Sequence, residues 1–409
     1  MAVKIARQPK KIALIGAPSS AAAFLAGSEK APAALRAAGL VEKLQAAGYE
    51  VIDHGDCAPR LFADDEEHRR ARNLPAIVAS LNDLKARAEV AIKSGALVLV
   101  LGGDCSQVIG LLTGARRYYK NLNLLWIDRD ADLNTPATTP SGRIDGMVVA
   151  NIIGKGAPEL TRFWGDGALV REPDVLLFGL ERLDPPEQEF LTRSPIRHVY
   201  MADIEFKGAS KSAQNALTQL HADTREFVVH IDTDVLDPAD LPSVNVPGNG
   251  GLRFADARTI LTEVAKHKNL LGLDIAQYNP DKDPDGSGAA KLVELLVDVL
   301  TARIAEPQDA PASPAIPAGA SAQLPVEAPV AAEVVAEVET QVAAHETEVE
   351  STEPAAGGIP AAQESVASET AASEGAEPQH APEASAAPSV ESSDTDADPS
   401  ELSSSQSSS

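Results

Sequence analysis

Five carboxylates in two short stretches carry the first chemical signal in this 409-residue chain. Asp128, Asp130 and Asp132 follow the apolar run Leu-Asn-Leu-Leu-Trp-Ile at every second position, and Asp232 and Asp234 follow Arg-Glu-Phe-Val-Val-His-Ile with the same spacing. Side chains alternate faces along an extended strand, so each set points one way. Carboxylates gathered at the tip of a sheet repel one another and are costly to desolvate unless a cation holds them together. A divalent metal is the simplest such cation. One Asp-x-Asp at a strand end is an ordinary solvent-facing feature, whereas two of them after separate buried strands would need the same coincidence twice.

A third apolar run ends in Leu-Gly-Gly-Asp-Cys-Ser, residues 101–106. Gly102 and Gly103 permit a tight turn, and Asp104, Cys105 and Ser106 then open a helix. The Lys-Ser/Thr ending of a phosphate loop is missing. A helix start lowers a thiol pKa, so Cys105 is expected either to turn a thiolate toward the metals or to be inert packing. His230 shares the strand face of Asp232 and Asp234 and reads as a core histidine, or as a group that supports the metal ligands or carries a proton. His68, His221 and His267 read as surface residues.

The elements that must position these groups alternate. Strands are expected at 11–16, 49–53, 96–101 and 123–128, with helices at 32–47 and 75–93 between them. The alternation continues through 147–153, 175–180, 197–201, 227–232, a helix at 254–266, a strand at 270–275 and a helix at 289–304. Strands apolar throughout, alternating with helices, predict a mostly parallel sheet covered on both faces, with ligands at the carboxyl ends of the strands.

Composition divides the chain near residue 305. No Lys or Arg follows Arg303, and twenty Asp or Glu lie beyond it, so the net charge of −25 leaves only −5 on residues 1–305. Residues 306–409, rich in Ala, Pro, Ser and Glu, are expected to be a disordered acidic tail, with a transient helix weighed at 326–349. The two cysteines, Cys57 and Cys105, argue against a disulfide scaffold, and no leader or membrane-length apolar run is evident; a cytoplasmic protein is expected. The charge balance and the lack of clustered Lys or Arg argue against nucleic-acid binding.

In the order Gly-Gly-Asp-Cys-Ser, Asp-Arg-Asp-Ala-Asp-Leu-Asn-Thr-Pro, Ser-Gly-Arg-Ile-Asp-Gly-Met, Asp-Thr-Asp-Val-Leu-Asp-Pro and Gly-Leu-Asp-Ile-Ala-Gln-Tyr-Asn-Pro, residues 10–305 resemble the ureohydrolases: arginase, agmatinase and formiminoglutamase. The resemblance implies a three-layer α/β/α fold and two Mn(2+) ions per chain, held by two His and four Asp. It also implies a bridging hydroxide that attacks a guanidinium carbon. Carried over by position, the metal ligands would be Cys105, Asp128, Asp130, Asp132, Asp232 and Asp234, with Cys105 and Asp130 standing where the family has His. Asp132 or Asp128 would orient the hydroxide. Asp145 stands for a proton-shuttling His, and Gln277 for a Glu that pairs with the guanidinium.

Asn134, Thr139 and Ser141 match residues that hold a substrate α-carboxylate, with Arg143 in place of an Asn. Asp184 and Glu187 match those facing the α-amino group. The extra carboxylate favours manganese or magnesium, whereas a thiolate would draw zinc, iron or cobalt. The expectation is therefore a metal-dependent hydrolase of a linear C–N bond in a guanidino or amidino compound, arginine-like for preference, and by resemblance a homo-oligomer. The alternative is a catalytically impaired paralogue serving as a binding or oligomer-partner protein. A zinc deacetylase would need paired histidines that this chain lacks.

Overall fold

The computed structural model describes residues 5–305; the expected tail at 306–409 and the helix weighed at 326–349 lie outside the described residues. Eight strands form one sheet: β1 (Lys11–Ala17), β2 (Glu50–Asp56), β3 (Leu97–Gly102), β4 (Asn123–Ile127), β5 (Val175–Leu180), β6 (Arg197–Tyr200), β7 (Phe227–Asp232) and β8 (Leu270–Ala276). Their order is β2-β1-β3-β8-β7-β4-β5-β6, and every pairing is parallel. Residues β3, β4, β5, β7 and β8 are buried along their whole length, which explains why they read as unbroken apolar runs.

Successive strand residues feed opposite layers. Leu14, Leu99 and Leu125 pack with Leu35, Ile260 and Leu296 from the helices Ala31–Ala37, Phe254–Ala265 and Ser287–Ala305. Ile15, Val98 and Trp126 pack on the other face with Leu81 and Leu111 from Leu74–Lys93 and Gln107–Arg116. The result is the expected three-layer α/β/α sandwich. Among the described residues no helix is long and apolar enough to cross a membrane.

Local departures have local causes. The helix expected over 32–47 is two, Ala31–Ala37 and Leu40–Ala46, because Gly39 between them takes φ 85°, which no α-helix accommodates. Segment 147–153 carries the short helix Val148–Ile152. His68 and His221 are exposed as expected, but His267 is half-buried, its ring edge set against Phe227.

The strand order decides where chemistry can occur. After β3 the chain resumes at β4, and β8 and β7 fill the gap between them, so neighbouring loops diverge at the carboxyl ends. The tips are tied together there: the Gln277 N–H donates to the Gly103 carbonyl (2.8 Å), and Thr233 Oγ1 to the Ala276 carbonyl (2.8 Å). Gly103 is required by this crowding, since a Cβ would lie 2.3 Å from the Ser19 carbonyl oxygen and 2.6 Å from that of Ala17.

Candidate metal centre

Five adjacent strands deliver side chains to one cavity of about 280 Å³. Cys105 follows β3, Gln277 follows β8, Asp232 and Asp234 close β7, Asp128, Asp130 and Asp132 follow β4, and Arg182 follows β5. The predicted carboxylates therefore do converge. Asp128 Oδ1 accepts from the Asp130 N–H (2.8 Å) and Asp232 Oδ1 from the Asp234 N–H (2.7 Å), so each pair turns the chain sharply at its strand end. One oxygen of each inner carboxylate remains for the cavity.

The donors fall into two groups. Cys105, Asp128, His230 and Asp232 each offer one ligand atom, all within 4.8 Å of one another, and all four are buried. Asp128, Asp130 and Asp234 form the second group within the same limit. Asp132 lines the cavity but belongs to neither; its backbone has φ 50°, and among the described residues no hydrogen-bond partner holds its carboxylate toward either group.

His230 is the least expected member. It lies in mid-sheet, in register with Trp126 on β4 and Asp274 on β8. Its ring stacks on Trp126 with centroids 3.7 Å apart, and Nδ1 meets Asp274 Oδ2 at 2.8 Å. Nε2 has no hydrogen-bond partner among the described residues although the side chain is fully buried. Buried polar atoms rarely go unsatisfied, and an imidazole grouped with a thiol and two carboxylates, its Nδ1 fixed by a further carboxylate and its Nε2 unpaired among the described residues, has the arrangement of a metal-binding imidazole. The donor set thus fits a divalent ion at this first group.

The crowded carboxylates make this a site that favours a cation. Burial and mutual repulsion push Asp128, Asp132 and Asp232 well above the usual carboxylate range. Burial and the Asp130 charge raise Asp234 to about 7, with Arg182 opposing the shift. Burial and Asp104 raise Asp145 to about 8, so it holds a proton near neutrality. Cys105 does not follow its helix start. Burial first, then Asp145 and Asp232, push its thiol up, and these outweigh the helix start; Sγ donates to Asp232 Oδ2 at 3.0 Å.

The substrate-side residues divide. Asn134, Thr139, Ser141, Asp184 and Glu187 line the cavity, and Asn134 Nδ2 donates to Asp184 Oδ2 (2.7 Å). Glu187 is occupied structurally: it accepts from the Leu133 N–H (2.8 Å) and the Asp184 N–H (2.9 Å), capping the helix Pro185–Arg193. Gln277, also at positive φ (65°), donates to Asp145 Oδ2, whose Oδ1 accepts from the Cys105 N–H at 2.9 Å. Arg143 does not reach the cavity. Its guanidinium stacks over Phe62, 4.3 Å from the ring centroid, and donates to the Ala63 carbonyl (3.1 Å) and Asp64 (3.3 Å).

Two arginines had not been singled out. Arg182, in the Leu-Glu-Arg-Leu-Asp-Pro-Pro-Glu stretch, engages Asp130 through Nε (2.8 Å to Oδ1) and Nη2, and Nη2 also meets Asp234 Oδ2 at 2.7 Å. Arg129, fully buried between Asp128 and Asp130, donates to the carbonyls of Asp234 and Gly250 (both 2.7 Å) and to Glu181 (2.6 Å), pinning the loop after β7. A cation one residue from a carboxylate cluster was the available signal for Arg129. Nothing in the spacing marks the reach of Arg182.

Sheet order, strand-tip carboxylates and cavity define an α/β/α protein with a crevice lined by side chains that could hold a metal. Residues 10–301 match the model of the Arginase family. The chain is 35% identical over 277 residues to Arginase-1 of Rattus norvegicus, covering 67% of this chain and 86% of that protein. It is 31% identical over 291 residues to the arginase of Bacillus caldovelox, covering 70% and 97%. The native structure of the Bacillus caldovelox arginase superposes with a TM-score of 0.66 at 30% identity, covering 71% of this chain and 98% of that one. The chain belongs to the arginase family.

Proposed function

We propose that the chain is a metal-dependent hydrolase of a linear, non-peptide C–N bond in a guanidino or amidino compound, with an arginine-like substrate favoured. The observation that carries this reading is the cavity itself, with buried carboxylates at one end and Asn134, Thr139, Ser141 and Asp184 at the other. Hydroxyl and amide groups suit a substrate carboxylate, and Asp184 suits an amino group. When bound, a divalent ion supplies an activated water and polarises the susceptible carbon.

The chain's own residues perform the rest. Asp145, protonated near neutrality and lining the cavity, is placed to give its proton to a leaving amine. Gln277 and the Cys105 N–H fix its two oxygens. Glu187 aligns Leu133 and Asp184, and so the Asn134 end, without needing to touch substrate. His230 stands behind the ligands as part of the metal-holding set. Arg143 supports the loop at 62–64.

Two manganese ions per chain, a homo-oligomer and a cytoplasmic setting are what the family resemblance brings to this reading. The first donor group accommodates an ion; the second already carries a guanidinium. Purified full-length protein, loaded in turn with manganese, zinc and cobalt, should release urea from an α-amino-acid guanidine in preference to agmatine. A metal-loaded protein that releases nothing from arginine, agmatine or guanidino acids at neutral or alkaline pH would leave the impaired paralogue as the better account.

A further inference from the structure

The two donor groups differ in what already occupies them. In the first, His230 Nε2 is unpartnered among the described residues and faces Cys105, Asp128 and Asp232. In the second, Asp130 gives both oxygens to Arg182 in a bidentate pair, and Asp234 gives Oδ2 to the same guanidinium. Asp130 stands where the family resemblance expects a histidine, so the outer ligand of the second ion is committed elsewhere. Asp234 Oδ1 is unpartnered among the described residues, but an additional divalent ion between Asp130 and Asp234 would sit a few ångströms from that guanidinium and compete with it for both Asp130 oxygens and Asp234 Oδ2.

We propose that this chain holds a single divalent ion, on Cys105, Asp128, His230 and Asp232, and that the Arg182 guanidinium stands in place of the second. The imidazole lost at position 105 is replaced from the sheet floor by His230, two strands away across β8 and held in orientation by Asp274 and Trp126. Sulfur, nitrogen and two carboxylate oxygens form a set that suits zinc, iron or cobalt better than manganese. The four donors lie within 4.8 Å of one another, a spacing from which modest side-chain movement reaches ligand bonds of about 2.0–2.3 Å. The inference rests on the metal-dependent reading of the site and concerns the number and class of ions.

The test counts metal directly, whatever the activity. Full-length protein is stripped, reloaded separately with zinc, cobalt and manganese, dialysed and analysed by inductively coupled plasma mass spectrometry. One zinc or cobalt per chain is expected, with weaker retention of manganese. The cobalt form should show a thiolate-to-cobalt charge-transfer band that Cys105→Ser abolishes. Arg182→Ala should release Asp130 and Asp234 and raise the content to two per chain. His230→Gln should lose the ion, and Asp274→Asn, which leaves the imidazole in place but loosens its support, should weaken binding by about 10- to 100-fold.

Two ions in the wild-type chain, a single ion in Arg182→Ala, or unchanged affinity in His230→Gln would each overturn the proposal. The wild-type count and the cobalt spectrum need no variant to fold. Two bound ions with urea release would sink this inference and leave the hydrolase reading standing. One bound ion without turnover would do the reverse.

Discussion

Arg129 offers the sharpest test of how the site is held. Its guanidinium is fully buried and makes three short hydrogen bonds, to the Asp234 and Gly250 carbonyls and to Glu181. Arg129→Met keeps most of the volume but leaves two carbonyls without their donor and Glu181 without its cation. Breaking a buried pair by removing one partner costs about 3–5 kcal/mol. The Glu181 side chain is 36% exposed and can rehydrate, which puts the loss near the lower end, about 3 kcal/mol. For a folded region of this size that is a fall of roughly 6 °C in Tm.

Gly248 supplies the control. A Cβ there would lie 1.2 Å from Arg129 Nη1 and 2.0 Å from Cζ, so Gly248→Ala must expel the guanidinium and should cost about 2–3 kcal/mol, nearly as much as losing those hydrogen bonds. In the Arg129→Met background the side chain ends short of the Cζ and Nη positions that the methyl would meet, so Gly248→Ala should cost under about 1 kcal/mol, a coupling visible in a double-mutant cycle. Urea denaturation of the four proteins, read by circular dichroism with the slopes compared, measures it. Equal penalties for Gly248→Ala in both backgrounds would refute the assignment of Arg129 as the brace of this loop.

Three further outcomes are expected. Replacing Asp145 by Asn should lower turnover by about 100-fold or more while metal content, measured by mass spectrometry, stays at the wild-type value. Burial raises Glu187 to about 7 from 4.5, so the folded chain keeps a proton that the unfolded chain releases. Its contribution to stability therefore declines as pH rises from about 4.5 to about 7, and Glu187→Gln should flatten the fall of Tm across that window. Burial, then the Asp83 charge, push the Cys57 thiol up to about 12, so native protein at mildly alkaline pH should leave Cys57 unmodified by a thiol reagent until denaturant is added.

The architecture was legible because unbroken apolar runs have one good explanation, a strand covered on both faces, and because a period of two placed Asp128, Asp232 and Asp234 unambiguously. What the sequence concealed was direction and neighbourhood. Arg182 and Arg143 are both loop cations near the family's substrate residues, yet one folds inward onto Asp130 and Asp234 and the other outward onto Phe62 and Asp64. No local pattern separates them. The use of His230 depends on Trp126 and Asp274, which reach it only through cross-strand register. The charge of Cys105 stayed open because a helix start is visible in sequence and the surrounding carboxylates that push its thiol up are not. The break at Gly39 was hidden within apolar spacing that suits one helix as well as two.

The placement of β7 and β8 between β3 and β4 carries a cost during synthesis. Until residue 276 has left the ribosome, the ladders built from β1–β3 and from β4–β6 each present an unpaired edge, and those edges are the apolar strands that end up innermost. Bare apolar edges invite pairing with other chains. A nascent or prematurely terminated product of this gene should therefore depend on chaperone shielding far more than its finished form does.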